Sequence, residues 1–424
     1  MPTPPSSCRS WRMRILFSLI VGNACLYVMR QTFTFLKASP KCPFSLETVG
    51  WAFTAYSLTY GFSKFAAGAV CDRYGARWLL PFGLGLTALL NVLTGFSSTA
   101  YLFGLLYACT SVPQAIGGAA CMRILPQWFP SKKLGTAWGF FVISPYIGVI
   151  SVFTFGAWIL EHCEWRFLFF ITGILCLSAS LWLPRHLQDR PEDIGLSPSE
   201  ASIHTSDTED TNPQPTLREL LVRHIFCNPR LLMICGVNFF VYFVLSGLRC
   251  WIPVICTSTQ ACTVTEAGFK MTIMEVGGFL SALTCGAFTD KYMPEKRTLF
   301  GAVTLLLTGI LIGILNGYGF DGSSTVGRYT DFLMWPLIGF FLAGAQTMTS
   351  LSAVKFGSKQ AAASAMGFIG IAGYLGAAAS GIGLASLSET HGWHAVLSVL
   401  AVGSMLGSLF SLLTLRKPRA TRTV

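Results

Sequence analysis

Two short stretches carry side chains of the kind that hold an oxyanion. In "LYVMR" (26–30), Tyr27 and Arg30 are three residues apart, and in "YGFSKF" (60–65), Tyr60 and Lys64 are four apart. On a helix both spacings put the pair on one face, about one turn apart. A guanidinium stays charged and grips phosphate through two parallel N–H donors. An ammonium adds a compact charge, and a tyrosine hydroxyl adds a neutral donor. Yet both stretches sit in apolar surroundings. A basic side chain near a bilayer centre costs at least about 2.5–3.5 kcal/mol, so such residues face the bundle interior and mark a pathway.

Each charge has a second reading. Lys64 lies about 12 Å along its helix from Asp72, and it is either an anion ligand or an ammonium that snorkels to the nearer surface. Arg30 lies about 24 Å along its helix from Arg14, and it is either a ligand or the cap of a shorter helix near the opposite surface.

These residues must be held by membrane helices. The chain has 424 residues, 52% hydrophobic and only 12% charged, against about 25% charged in a soluble domain. Apolar runs of about 20 residues, the length that spans a bilayer, recur throughout. They fall near 14–36, 46–70, 79–97, 100–124, 135–159, 166–184, 231–255, 265–289, 298–316, 331–353, 361–386 and 394–415. The expected fold is an all-α integral membrane protein of twelve spans, each satisfying its own backbone hydrogen bonds. The first run follows Arg9, Arg12 and Arg14 but lacks a small-residue cleavage site, so it reads as a helix and not a signal peptide.

The net charge of +11 is set by topology. The termini and the even-numbered connections hold 21 of the 30 basic residues, and the odd-numbered connections hold four. That bias puts both termini in the cytoplasm and argues against a nucleic-acid partner. The 14 cysteines form no CxxC or Cys/His cluster of metal spacing. They read as packing residues, with a disulfide among Cys42, Cys163 and Cys262 left open. No Ser/His/Asp arrangement or nucleotide-binding loop is present, so no catalytic residue, metal or cofactor is expected, and the chain does not read as an enzyme.

A polar segment rich in Ser, Thr and Pro, "SPSEASIHTSDTEDTNPQPT" (197–216), separates six spans from six. The expected domains are 1–184 and 231–424, joined by a cytoplasmic linker at 185–230. The halves repeat each other. "GAVCDRY" (68–74) matches "GAFTDKY" (286–292) at an offset of 218, and "GFFVISPYIG" (139–148) matches "GFIGIAGYLG" (367–376) at 228. Parallel repeats describe transporters whose substrate binds near the midplane between the halves.

The pattern Gly68, Asp72, Arg73, Gly75, Arg77 after the second span resembles the signature of the major facilitator superfamily. With "YGFSKF", "YxxR" at 27–30, "RPEDIGL" at 190–196 and "KQAAASAMGFIGIAGYLG" at 359–376, the chain resembles its organophosphate:phosphate antiporters over nearly its whole length. The resemblance implies that Arg30 is a principal phosphate ligand, with Lys64, Tyr27 and Tyr60 beside it. It implies a second arginine in helix 7, where the repeat places Leu245 after Tyr242. Arg249, one turn later, either replaces it or anchors the outer interface beside Trp251. Glu275 stands where the family has a glutamate and would pair with a basic side chain in the empty site. Tyr374 is a further candidate. Asp72, Arg73 and Arg77, with the looser copy Asp290 and Lys291, would form a switch of exchanging charge pairs.

Other family positions have changed: Gln31, Pro145, Cys250 and Ala343 replace lysine, histidine, aspartate and tyrosine. The framework is kept while polar contacts are lost. The function implied is exchange of an organic phosphate, such as a hexose phosphate, for inorganic phosphate across a bilayer by a monomer. A membrane sensor of hexose phosphate and a proton-coupled exporter are the alternatives. The membrane implied is a bacterial inner membrane, with the endoplasmic reticulum second.

Overall fold

The computed structural model describes residues 5–196, 228–259, 262–293, 296–318, 325–356 and 362–415. The linker at 197–227, Lys359 and the basic C-terminus lie outside them. Among the described residues there is no strand.

The first helices are α1 (Pro5–Leu36), α2 (Leu46–Tyr74), α3 (Leu79–Gly95) and α4 (Ala100–Trp128). The fifth expected span is segmented into α5 (Ser131–Phe141), α6 (Ile143–Ser151), a π-helical turn Val152–Gly156 and α7 (Ala157–His162). Then come α8 (Trp165–Trp182), α9 (Pro229–Thr259), α10 (Val264–Tyr292), α11 (Arg297–Tyr318), α12 (Thr325–Phe356) and α13 (Ala362–Leu413). The last is two helices that meet at Gly392, where φ is 77° and the backbone leaves helical geometry. Hydroxyl caps fix two starts: Ser45 Oγ accepts from Thr48 N at 3.1 Å and Thr99 Oγ1 from Leu102 N at 3.3 Å.

Nine helices among the described residues are long and apolar enough to cross a membrane. Neither α2 nor the 17-residue α3 is in that set, and the two parts of α13 count there as one. Burial is inverted relative to a water-soluble protein. Phe62, Phe155, Ile174 and Leu333 are over 60% exposed, while Asn23, Asn91, Gln114 and Asn238 are 5% exposed or less. An apolar exterior of this extent marks a surface made for a non-aqueous environment.

The chain divides into two compact units. Unit 1 comprises Met1–Pro213 with Thr263–Thr272, and unit 2 comprises Gln214–Cys262 with Ile273–Val424. In unit 1, α1 packs on α6 and α8, α2 on α4, and α3 between α4 and α8. In unit 2, α9 packs on α13, and α11 lies between α12 and α13.

The internal repeat is visible in how each unit closes its own crossing. "NACLYVMR" (23–30) and "NFFVYFVL" (238–245) carry an asparagine four residues before the matched tyrosine. Asn23 Nδ2 donates to Ser144 Oγ on α6 at 2.7 Å, and Asn238 Nδ2 donates to Ile369 O on α13 at 2.8 Å. Gly148 fits against the carbonyl of Ala24, and Gly376 against that of Phe239, so closely that neither site has room for a Cβ. Small residues let helix backbones approach, and the sequence spends its glycines at equivalent places in both halves.

Gly376→Ala is therefore expected to lower the thermal unfolding temperature of the detergent-purified protein. The overpacking term is about 1–3 kcal/mol, set against a gain of about 1 kcal/mol in helix propensity. Gly370→Ala, where a Cβ meets nothing within 4 Å, should hold or raise that temperature. Equal temperatures for the two variants would contradict the close crossing.

Candidate functional site

In unit 1 the structure gathers Arg30 with aromatic side chains from α1 and α2 and a glutamine from α4. Arg30 Nε donates to Tyr56 Oη at 2.9 Å, and the Tyr56 hydroxyl donates to Gln114 Oε1 at 2.7 Å. A longer contact of 3.4 Å joins Arg30 Nε to Gln114 Oε1. The guanidinium carbon lies 4.2 Å from the centroid of the Tyr60 ring and 4.9 Å from that of Tyr27. Ring faces attract a cation by their quadrupole, about 2 kcal/mol or more when desolvated. Arg30 is thus stabilised by the ring faces of Tyr27 and Tyr60 and by the Tyr56 hydroxyl.

Behind Tyr56 stands a column of stacked rings. Tyr56 and Tyr107 are 4.5 Å apart, Tyr107 and Phe33 3.5 Å, and Phe33 and Phe103 5.0 Å. The column fixes the plane of Tyr56 and so the direction of its hydroxyl. Gln114 is 1% exposed, and its Nε2 is buried without a hydrogen-bond partner among the described residues. Leaving such a donor unpaired costs about 1–3 kcal/mol, which marks it as a donor available to an acceptor oxygen. Lys64 lies one turn beyond Tyr60 on α2, and its side chain is exposed.

In unit 2 the charge is handled differently. Arg249 forms a two-pronged ion pair with Glu275: Nε to Oε1 and Nη2 to Oε2, each 2.7 Å. Glu275 is 2% exposed and the Arg249 side chain 22%. Arg249, one turn past Leu245, is thus the partner of the glutamate. Tyr242 and Tyr374 stand 5.5 Å apart. Gly373 leaves room for them, since a Cβ there would lie 2.6 Å from Asn238 Nδ2.

The expected switch loop is built around Gly75, whose φ of 77° suits glycine. The N–H groups of Ala76 and Arg77 both donate to Asp189 Oδ1 at 2.8 Å. Arg73 is exposed beside the Tyr74 ring, and the Arg77 guanidinium lies 5.3 Å from the centroid of Trp78. Lys291 Nζ is 5.2 Å from the Tyr292 ring centroid. The side chains of Asp72 and Asp290 lie outside the described residues. Cys42 and Cys163 are free thiols, and burial raises the pKa of Cys42 above its ordinary value.

Sequence reading missed Tyr56, Gln114 and Asp189. Tyr56 was within reach, because Tyr56, Tyr60 and Lys64 form one stripe of four-residue steps along α2. Gln114 offered only a lone amide in an apolar helix. Asp189 acts across 112 and 113 residues of sequence on Arg77 and Ala76, and no local pattern announces it.

The model of the Major Facilitator Superfamily matches residues 15–381. The chain belongs to the major facilitator superfamily. Within it, the relatives include hexose phosphate and glycerol-3-phosphate transporters. A "Probable hexose phosphate transport protein" of Chlamydia pneumoniae is 29% identical, over 94% of this chain and 90% of the relative. The "Membrane sensor protein UhpC" of Salmonella typhimurium is 30% identical, over 97% and 94%. The "Hexose-6-phosphate:phosphate antiporter" of Escherichia coli is 24% identical, over 97% and 93%. In fold the chain is similar to an inward-facing, occupied bacterial homolog of the human lysosomal transporter Spinster. The TM-score is 0.73 at 14% identity, over 95% of this chain and 97% of that one. This major facilitator protein is accordingly a multi-pass membrane protein.

Glu275→Gln would break the ion pair at its buried carboxylate, at a cost of about 3–5 kcal/mol, whereas replacing both partners by apolar residues is often neutral or stabilising. Thermal unfolding should therefore show Glu275→Gln well below wild type, and Arg249→Met with Glu275→Leu restored toward it. Wild-type stability in Glu275→Gln would mean that the pair carries no such weight.

Proposed function

We propose that this protein exchanges an organic phosphate, in the first place a hexose phosphate, for inorganic phosphate by alternating access. The observation that carries this reading is the Arg30 cluster. A guanidinium inside an apolar bundle is held by tyrosine faces and a tyrosine hydroxyl, and the buried Gln114 Nε2 adds a donor. A guanidinium grips phosphate through two parallel N–H donors, so a phosphate group is a fitting ligand for Arg30. Lys64 adds a second positive charge on the same stripe. In unit 2, Arg249 would take a phosphate oxygen in exchange for Glu275, with Tyr242 and Tyr374 as further ligands.

Exchange follows from electrostatics. A cavity with Arg30 and Lys64 exposed to apolar surroundings is costly to reorient empty, and either anion lowers that cost. The names of the Chlamydia and Escherichia relatives support the substrate class and the exchange mode. We read twelve crossings in two six-helix bundles, 1–184 and 231–424, with both termini cytoplasmic and the protein a monomer in a bacterial inner membrane. Asp72, Arg73, Arg77, Asp290 and Lys291 serve as exchanging charge pairs at that face. The name of the Salmonella relative favours a second reading, a sensor that binds hexose phosphate without sustained flux.

Liposomes loaded with phosphate test both readings. Uptake of radiolabelled phosphate should be driven by internal phosphate, inhibited by glucose-6-phosphate and abolished by Arg30→Lys. Tyr56→Phe and Gln114→Leu should each weaken substrate about tenfold, the loss of one hydrogen bond to a charged group. Protection by glucose-6-phosphate against unfolding without any exchange would replace the antiporter by the sensor. Neither flux nor protection would remove both.

A further inference from the structure

A second charged cavity lies in unit 1, about 20 Å along α2 from Tyr60. Its volume is about 300 Å³, and it is lined by Arg73, Arg123 and Arg190 together with Asp189, Asp193 and Gly75. It occupies the end of the unit where the basic residues of the chain concentrate. Its size is that of the smaller small-molecule sites.

The two carboxylates serve mainly to build the wall. Asp189 Oδ1 accepts from the N–H groups of Ala76 and Arg77, and Asp193 Oδ2 accepts from Arg190 N at 3.0 Å. Three guanidinium groups outnumber them around the space. The wall is also fixed from behind. The Trp128 indole donates to Gln188 O, and Arg12 Nε donates to Trp128 O, each at 2.9 Å. At Gly75 a Cβ would lie 2.9 Å from Asp189 Oδ2. A concave cluster of arginines recognises phosphate groups through paired N–H donors.

We propose that this cavity binds a phosphate group, carried either by soluble phosphate or by the headgroup of an anionic lipid, apart from the Arg30 site. Its wall joins the loop after α2 to the segment 188–193 that follows α8. Occupancy braces these two stretches against each other and thereby acts on the loop that holds Arg73 and Arg77. The proposal stands whether or not the chain is an antiporter.

The test uses the full chain in neutral detergent as wild type, Arg190→Gln and Arg185→Gln. Arg185 is the control, an exposed arginine whose Nη1 donates to Leu181 O at 3.1 Å outside the cavity. One arm measures radiolabelled inorganic phosphate by equilibrium dialysis, and the other counts retained phosphatidylglycerol by native mass spectrometry. Arg190→Gln should weaken one of the two about tenfold, the loss of one charge-assisted hydrogen bond, with Arg185→Gln at the wild-type value. Loss in the dialysis arm assigns the soluble source, and loss in the mass-spectrometric arm assigns the lipid. Wild-type binding of both by Arg190→Gln, or an equal loss in Arg185→Gln, overturns the proposal. Failure of phosphate exchange in liposomes leaves these readouts untouched, so the two readings fail separately.

Discussion

A guanidinium inside an apolar helical bundle has to be stabilised by something, and much of this structure follows from that requirement. Arg30 meets it with ring faces and a hydroxyl, because Tyr27, Tyr56 and Tyr60 surround it. Arg249 meets it with the carboxylate of Glu275. The first solution uses aromatic rings and a hydroxyl in unit 1, and the second an ion pair within unit 2. The stacked column from Tyr56 to Phe103 and the buried amide of Gln114 make sense as supports for the first solution.

The repeat shows what has been kept and what has diverged. Asn23 and Asn238 occupy matched positions, and Gly148 and Gly376 press against matched carbonyls. The backbone crossings are therefore the same device twice. The chemistry carried on them is not, since Arg30 has Leu245 as its counterpart. Packing tolerates no change at a glycine pressed against a carbonyl, whereas a side chain facing open space can be exchanged once its charge is compensated elsewhere. Arg249, one turn after Leu245, lies on the same helix face and pairs with Glu275.

Much of this was legible in the sequence, for identifiable reasons. Apolar runs of bilayer length show directly, because lipid permits few alternatives to helices. The pairing of Tyr27 with Arg30 follows from a local spacing. The pairing of Glu275 with a base was expected from the family, and Arg249 is that base. What remained hidden depends on through-space partners. Tyr56 needed the Tyr60–Lys64 stripe to be extended one turn back. Gln114 becomes meaningful only when α4 lies beside α2. Asp189 becomes meaningful only when the segment after α8 returns to the loop after α2. The π turn at Val152–Gly156 has no local signal that helical periodicity could register, whereas the break at Gly392 falls in the gap between the spans read at 361–386 and 394–415.

The unequal treatment of the two arginines bears on how a carrier of this kind discriminates a loaded state from an empty one. If both guanidiniums were neutralised by carboxylates, the empty protein would reorient as readily as the loaded one, and gradients would leak. If neither were, the empty site would be unstable at any useful lifetime, since each uncompensated charge costs several kcal/mol. One arginine held by polarisable rings and one held by a carboxylate lie between these limits. The rings lower the charge's energy without matching it, so an anion still gains by arriving. In the proposed exchange, the carboxylate of Glu275 is displaced or shared when the anion comes, so part of the binding energy is used to open an ion pair. In that proposal binding is coupled to a rearrangement within α9 and α10, the helices that carry the pair, and such coupling is what a transport cycle or a sensor requires.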